Sequence, residues 1–402
     1  MFIARQPIFN KDLDVYGYEL LFRSDIKSNK FDGTSSEIAT ATVISGLFES
    51  GINRIVEDKY AFINFDEDFV LSSGLELISP DRLIVEMLEN IKISDSLIKR
   101  LEDIKKKGYK IALDDFIGNY SDYPLTPFAD IIKFDVLATP LDTIHQSIHL
   151  ALSQKKIILA EKIETEQEFL KAKKMGFHLF QGYFFSKPSI TGKSLNKSSS
   201  KIPYLLIIKE LQKEEPSFQS LAEIIEKDIN LAYRFMRIVS LRSGEDSIYS
   251  IKKALTYIGL KEIERWISLL MIQDISKSKP QELIKLSLIR TKFSELIALH
   301  CELKNMRDEA YLMGLFSTLD AMLDEDMSEA LKDITLPYSI TEVLIHHRGV
   351  LSPIYDLFIA YEQGNWVQSD IISKKMNINQ SVLYEDYLSS IKWANATLLL
   401  MQ

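Results

Sequence analysis

The feature that most constrains this chain is a change of pattern near its middle. Before residue 190, short β-type runs alternate with segments of helical period. After it, almost every window has apolar residues at three- and four-residue spacing. The β-type runs are FIARQPIF, VYGYELLF, YAFINF, RLIVEM, YKIALDD, IIKFDV, KIILAEK and FHLFQGY, eight in all. Only NKDLD separates the first two, a length suited to a hairpin, so one strand is expected to run antiparallel to its neighbour. Other gaps have room for crossover helices, as in SSEIATATVISGLFES, DSLIKRLEDIKKKG and TEQEFLKAKKMG. Eight strands with helical crossovers predict an α/β fold, a modified (β/α)8 barrel with one antiparallel strand, followed by an all-α second half.

The stretch SKPSITGKSLNKSSSKIP, residues 186–203, is rich in Ser, Lys and Pro and lacks a sustained apolar period. It places a barrel domain over 1–190, a linker over 191–204 and a helical domain over 205–402. With 46% hydrophobic and 26% charged residues, the 402-residue chain has the balance of a globular protein. Its net charge of -9 is shared by both halves, which argues against a nucleic acid polymer as partner. The single cysteine, Cys301, excludes an intrachain disulfide and a cysteine metal cage. The N-terminus reaches Pro7 and then charge before a signal-peptide core is possible, and no apolar run approaches bilayer length. The expected location is cytoplasmic, away from membranes.

Nearly every β-type run has an acid, amide or ammonium within it or at its C-terminal end: Glu19, Asn64, Glu86, Asp114, Asp115, Lys133, Glu161 and Gln181. In a barrel these ends converge on one face. Carboxylates crowded there repel one another unless a cation intervenes. An all-oxygen donor set without His or Cys points to Mg²⁺ or Mn²⁺, and adjacent Asp114 and Asp115 suit two ions acting on a phosphorus centre. Taken singly, each residue also has a plainer reading: Glu86 as an ion pair with Lys110, Asp114 as a cap for the following loop, Lys133 as a surface charge.

In order along residues 1–190, these motifs resemble the EAL domains, the cyclic di-GMP phosphodiesterases. GYELLFR resembles the Glu-Ala-Leu motif with Glu19 and Arg23; FINF supplies Asn64, LIVEM Glu86 and IALDDF Asp114 and Asp115. IIKFD supplies Lys133, LAEKIET Glu161 and Glu164, and FQGYFFSKP Gln181. The resemblance implies that Glu19, Asn64, Glu86, Asp114, Asp115 and Glu161 hold two metal ions. It makes Lys133 the group that orients water or stabilises developing charge, Arg23 and Gln181 substrate-side residues, and Glu164 the anchor of the loop after DDF. The sequence departs from the family pattern in three motifs, at four positions. Leu20 replaces the motif's alanine and is expected to press on the substrate floor. Ile117 and Asn119 replace glycines in the loop spanning 117–123. Lys162 replaces the glycine of Glu-Gly-Val-Glu.

In the second half, Leu221, Ile224, Ile225, Leu231, Phe235 and Ile238 form a helical stripe with an interruption near Asp228, and Gly259 is a break between two further helices. These segments resemble the HDOD domain. No His-Asp dipeptide occurs anywhere, so the metal pair of the related phosphohydrolases is missing. His300 beside Cys301, the pair His346–His347, and Trp266, Trp366 and Trp393 are read as packing or surface residues.

The resemblance implies a cyclic di-GMP signalling protein: a metal-dependent phosphodiesterase giving the linear dinucleotide, with the HDOD half as a regulatory or output module that docks a signalling partner. The alternative is an impaired barrel that acts as a cyclic di-GMP sensor or protein-interaction scaffold. A homodimer remains open.

Overall fold

The computed structural model describes residues 2–23, 52–72, 75–76, 79–88, 91–116, 120–182, 202–243, 250–276 and 279–401. Among them, β1 (Phe2–Asn10), β2 (Val15–Arg23), β3 (Tyr60–Phe65), β4 (Leu83–Met87), β5 (Lys110–Leu113), β6 (Ile131–Asp135), β7 (Ile157–Glu161) and β8 (Leu179–Phe180) close into a barrel in sequence order. β1 is antiparallel to both β2 and β8, and every other neighbouring pair is parallel. The expected barrel and its antiparallel strand are therefore both present.

Strand alternation sorts the side chains into two layers. One apolar cluster comprises Ile8, Phe62, Ile84, Ala112, Ile131, Leu159 and Leu179. Two residues further along the chain from the last six stand Asn64, Glu86, Asp114, Lys133, Glu161 and Gln181. The barrel interior is thus plugged by hydrocarbon below and lined by polar groups above. The intervening residues, such as Ala61, Ile63, Val85, Ile132 and Phe134, join the second cluster with the surrounding helices.

Two crossover helices form where the sequence places them. Ser94 starts the helix Asp95–Lys106 by accepting the Leu97 N–H at 3.2 Å; Leu97, Leu101 and Ile104 recur on its buried face. Complete burial of each such side chain is worth about 1.5–3 kcal/mol. Thr165 and Glu168 form a reciprocal capping box at the helix Glu166–Met175, which Gly176 ends with φ 101°. The segment 35–50, expected to hold another crossover helix, lies outside the described residues.

The chain divides into two compact units. The first comprises Met1–Phe185, Ile359–Ser373 and Asn379–Leu388; the second comprises Ser186–Phe358, Lys374–Ile378 and Ser389–Gln402. Within the first unit, Tyr384 and Leu388 pack against the barrel's outer cluster. A Cβ on Gly364 would stand 2.7 Å from Leu21 Cδ1. Helical periodicity identifies a buried face without identifying the core it joins, so the expected domain over 205–402 does not distinguish these segments from the rest. The expected linker falls on undescribed residues except for Ile202, Pro203 and Tyr204, which begin the helix Ile202–Leu211; proline is tolerated in a first turn.

In the second unit the expected stripe divides into the helices Phe218–Glu226 and Ile229–Ser243, and Asp228 at the break accepts the Leu231 N–H at 3.0 Å. Gly259, at φ 85°, separates Ile251–Ile258 from Leu260–Ile275. His300 and Cys301 follow the end of Gln281–Leu299, and His346 ends Tyr338–His346, with the His347 ring 5.3 Å from Tyr355. Trp266 is buried and Trp393 meets Tyr311 edge-on. No helix among the described residues is long and apolar enough to cross a membrane.

Gln281–Leu299 and Arg307–Phe316 approach closely: a Cβ on Gly314 would lie 2.4 Å from the Arg290 carbonyl oxygen. Backbone cannot yield as a flexible side chain would, so Gly314→Ala should destabilise the chain by about 1–3 kcal/mol. A lower urea midpoint is the expected readout; an unchanged midpoint would show that the helices separate without cost.

Candidate active site at the barrel mouth

Lys133, completely buried on β6, is the centre of the polar layer. Its Nζ lies 2.6 Å from Asp114 Oδ1, 2.7 Å from Glu86 Oε1, 2.8 Å from Glu161 Oε1 and 3.8 Å from Glu19 Oε2. One ammonium faces four carboxyl groups, which cannot all ionise at little cost in so dry a place. Burial pushes the fully enclosed Glu86 well above the ordinary carboxylate range, against the opposing pull of Lys133. Burial likewise raises Glu161 to about 8. For Lys133 the downward push of burial is outweighed by Glu161, Glu19, Glu86 and Asp114, so its pKa lies well above the usual value and the ammonium keeps its charge.

Amides orient Glu19. Its Oε2 accepts from Gln181 Nε2 at 2.7 Å and its Oε1 from Asn64 Nδ2 at 3.2 Å, while Gln181 Nε2 also reaches Gln6 Oε1 at 3.2 Å. Both amides donate to the carboxylate and leave their own oxygens, Asn64 Oδ1 and Gln181 Oε1, buried without a hydrogen-bond partner.

A second charged group lies beside the first. Asp115 and Lys162 each immediately follow an inward carboxylate, and both adopt left-handed backbone, φ 41° and 57°. Lys162 Nζ lies 3.1 Å from Asp115 Oδ1 and 2.5 Å from Asp135 Oδ2. Asp135 Oδ1 accepts the N–H groups of Leu137 and Ala138 at 2.8 and 3.0 Å. Burial would raise Asp135, but Lys162 and these two N–H groups prevail and hold it below its ordinary value.

The strand ends therefore bring together Glu19, Asn64, Glu86, Asp114, Lys133, Glu161 and Gln181, with Asp115 turned toward Lys162. Glu86 pairs with Lys133 and not with Lys110, which donates to the Tyr60 hydroxyl at 2.9 Å. Lys133 is buried, not a surface charge. Leu20, expected at the substrate floor, is instead buried in the outer cluster, because strand alternation turns it away from Glu19. Arg23 ends β2, and its side chain is outside the described residues. Glu164 is exposed, and its backbone N–H donates to Glu168. In the loop it was expected to anchor, 117–119 lie outside the described residues. Beyond them, Tyr120–Asp122 form a 3-10 turn and the Tyr120 hydroxyl donates to Gln154. The sequence reading overlooked Asp135 and Gln6. Asp135 stands two residues beyond Lys133 on one strand, so period-two counting along IIKFD was the available signal.

The residues fit a divalent cation by chemistry. Besides the two amide oxygens, Glu86 Oε2 and Glu161 Oε2 are buried without hydrogen-bond donors, and the whole donor set is oxygen. The geometry is not a finished cage. Among the described residues no three acidic, His or Cys side chains stand in a metal-holding group, and Lys133 occupies the centre of the acids.

A closed barrel with an antiparallel first strand and an acid-rich mouth, followed by a helical half, defines a two-part barrel and helical-domain protein. The EAL domain family matches residues 66–188 and the HDOD domain family matches residues 203–335. The chain is 34% identical over 408 residues to the uncharacterized protein YuxH of Bacillus subtilis, covering 98% of each. It is 31% identical over 398 residues to the cyclic di-GMP phosphodiesterase CdgJ of Vibrio cholerae, covering 98% of this chain and 92% of that protein. A solved standalone EAL protein from Vibrio cholerae, in its c-di-GMP-bound form, is 24% identical with a TM-score of 0.37, covering 47% of this chain and 92% of that one. The chain belongs to the family of EAL–HDOD proteins. The EAL match begins after Asn64, yet β2 with Glu19 and β3 with Asn64 complete the same barrel.

An acid whose pKa is raised by folding keeps its proton in the folded state, so it costs stability as pH climbs from its unfolded value toward its folded one. For Glu161 that window runs from 4.5 to about 8. In chelator-treated protein, the melting temperature of Glu161→Gln relative to the parent should rise progressively across this window. A difference that stays flat with pH would show that Glu161 ionises freely.

Proposed function

We propose that the barrel mouth hydrolyses one phosphodiester of cyclic di-GMP to the linear dinucleotide in a metal-dependent reaction, and that the chain acts in cyclic di-GMP signalling. The supporting observation is the buried polar layer, in which four carboxyl groups surround the Lys133 ammonium directly above an apolar plug. Kinship with CdgJ supplies the nucleotide.

Glu19, Asn64, Glu86 and Asp114 would hold one ion, and Asp115 with Glu161 would complete a second site. Mg²⁺ or Mn²⁺ there supplies Lewis-acid polarisation of the phosphodiester and a more acidic water. Gln181 and Asn64 hold both oxygens of Glu19 and fix its orientation. Lys133, whose ammonium stands among these carboxyl groups, would orient the attacking water or stabilise the developing negative charge. Arg23, at the end of β2, would bind a phosphate. Glu164 would support the loop after Asp115. The helical half would serve as a regulatory or output module for a protein partner.

A second reading, a cyclic di-GMP sensor without hydrolysis, is favoured by one observation: Lys162 already pairs with Asp115. The two readings separate in one experiment. Full-length protein incubated with cyclic di-GMP and Mn²⁺ or Mg²⁺ should yield the linear dinucleotide on chromatography. Asp114→Asn and Lys133→Met should each lower turnover about 10²-fold or more. Nucleotide binding without product would favour the sensor, and neither binding nor product would refute both.

A further inference from the structure

We propose that Lys162 is a tethered cation that holds the Asp115 side of the barrel mouth and must release Asp115 before a second divalent ion is retained there. This rests on reading the mouth as a metal centre, and it adds a competitor built into the chain.

Backbone geometry brings the pair together. A left-handed conformation is unfavourable for side chains such as those of Asp115 and Lys162, and it occurs at both, each directly after an inward carboxylate of the central cluster. With these turns, Asp115 Oδ1 stands 3.1 Å from Lys162 Nζ. Adjacent Asp114 remains with Lys133 at 2.6 Å. The two neighbouring aspartates are therefore divided between two different ammonium groups.

The two contacts of Lys162 are unequal. Asp135 is a fixed anchor: its side chain is 8% exposed, and its other oxygen is held by two backbone N–H groups. Asp115 is 34% exposed and meets Lys162, itself 48% exposed, through a single longer contact. Water and ions compete effectively for a pair so open to solvent. An incoming cation would therefore displace Lys162 from Asp115 more readily than from Asp135. The ammonium would then remain on Asp135, close enough to oppose the ion that replaced it. Occupancy of the second position would be weakened twice, by competition for Asp115 and by residual repulsion. The ion held by Glu19, Asn64, Glu86 and Asp114 would not face this competitor.

Calorimetric titration of the full chain with MnCl₂ tests this without reference to turnover, with melting temperature as the check on folding. Lys162→Met keeps the length of the side chain and removes its charge, and Lys162→Gln is the second neutral variant if the first folds poorly. Either should tighten the weaker Mn²⁺ event on the order of fivefold and leave the tighter one unchanged. Lys162→Arg should behave as the parent, and Asp115→Asn should remove the weaker event. If neutral variants matched the parent while Asp115→Asn still weakened binding, the metal centre would stand and the role given to Lys162 would be overturned. If the parent bound no Mn²⁺ that Asp114→Asn removes, the metal centre itself would fall, and this inference with it.

Discussion

The arrangement at the barrel mouth depends on one buried ammonium. Lys133 neutralises part of a carboxyl cluster formed from β2, β4 and β7 and from the residue that follows β5. A barrel built from parallel strands brings every C-terminal strand end to the same face, so acids far apart in sequence meet whether or not their charges favour it. The ammonium makes that meeting tolerable, and it leaves an excess of negative charge. Glu86 and Glu161 respond by holding protons more tightly than exposed carboxyls do. The same excess of negative charge is the electrostatic basis of the proposal that the mouth takes a divalent ion.

The two units use their polar residues differently. In the barrel the inward residues change from hydrocarbon to charge within one strand period, from Ile84 to Glu86 and from Leu159 to Glu161. In the second unit the polar groups serve packing and helix ends: Ser287 donates to the Leu315 carbonyl at 2.6 Å, and Arg265 bridges Glu295 and Asp308. Its histidines stand at or beyond helix ends, and its tryptophans Trp266 and Trp393 pack. The chemistry proposed for this chain accordingly belongs to the barrel.

Much of the fold was legible because strands announce themselves locally. All eight β-type runs became strands, and the short NKDLD connection correctly signalled the antiparallel pair. The polar layer was legible because Asn64, Glu86, Lys133 and Glu161 recur at the same place in successive apolar runs, where a buried charge or amide is costly. What local pattern could not provide was direction. Leu20 and Glu19 are neighbours in sequence and face opposite layers, so a bulky residue beside the glutamate does not touch the mouth. The pairing of Lys162 with Asp115 and Asp135 depends on two left-handed residues whose conformations no apolar period encodes. The assignment of Tyr384 and Leu388 to the barrel's packing depends on contacts more than 200 residues away in sequence.

The most direct test of the central claim is to locate the ions themselves. Crystals of the full chain grown with Mn²⁺ and cyclic di-GMP, measured at a wavelength where manganese scatters anomalously, would report each metal position without reference to activity. The expected result is an anomalous peak bounded by Glu19, Asn64, Glu86 and Asp114, with a phosphodiester of the nucleotide against it. Nucleotide bound at another surface, with no manganese among these four side chains, would contradict the assignment of the barrel mouth as the metal-dependent site.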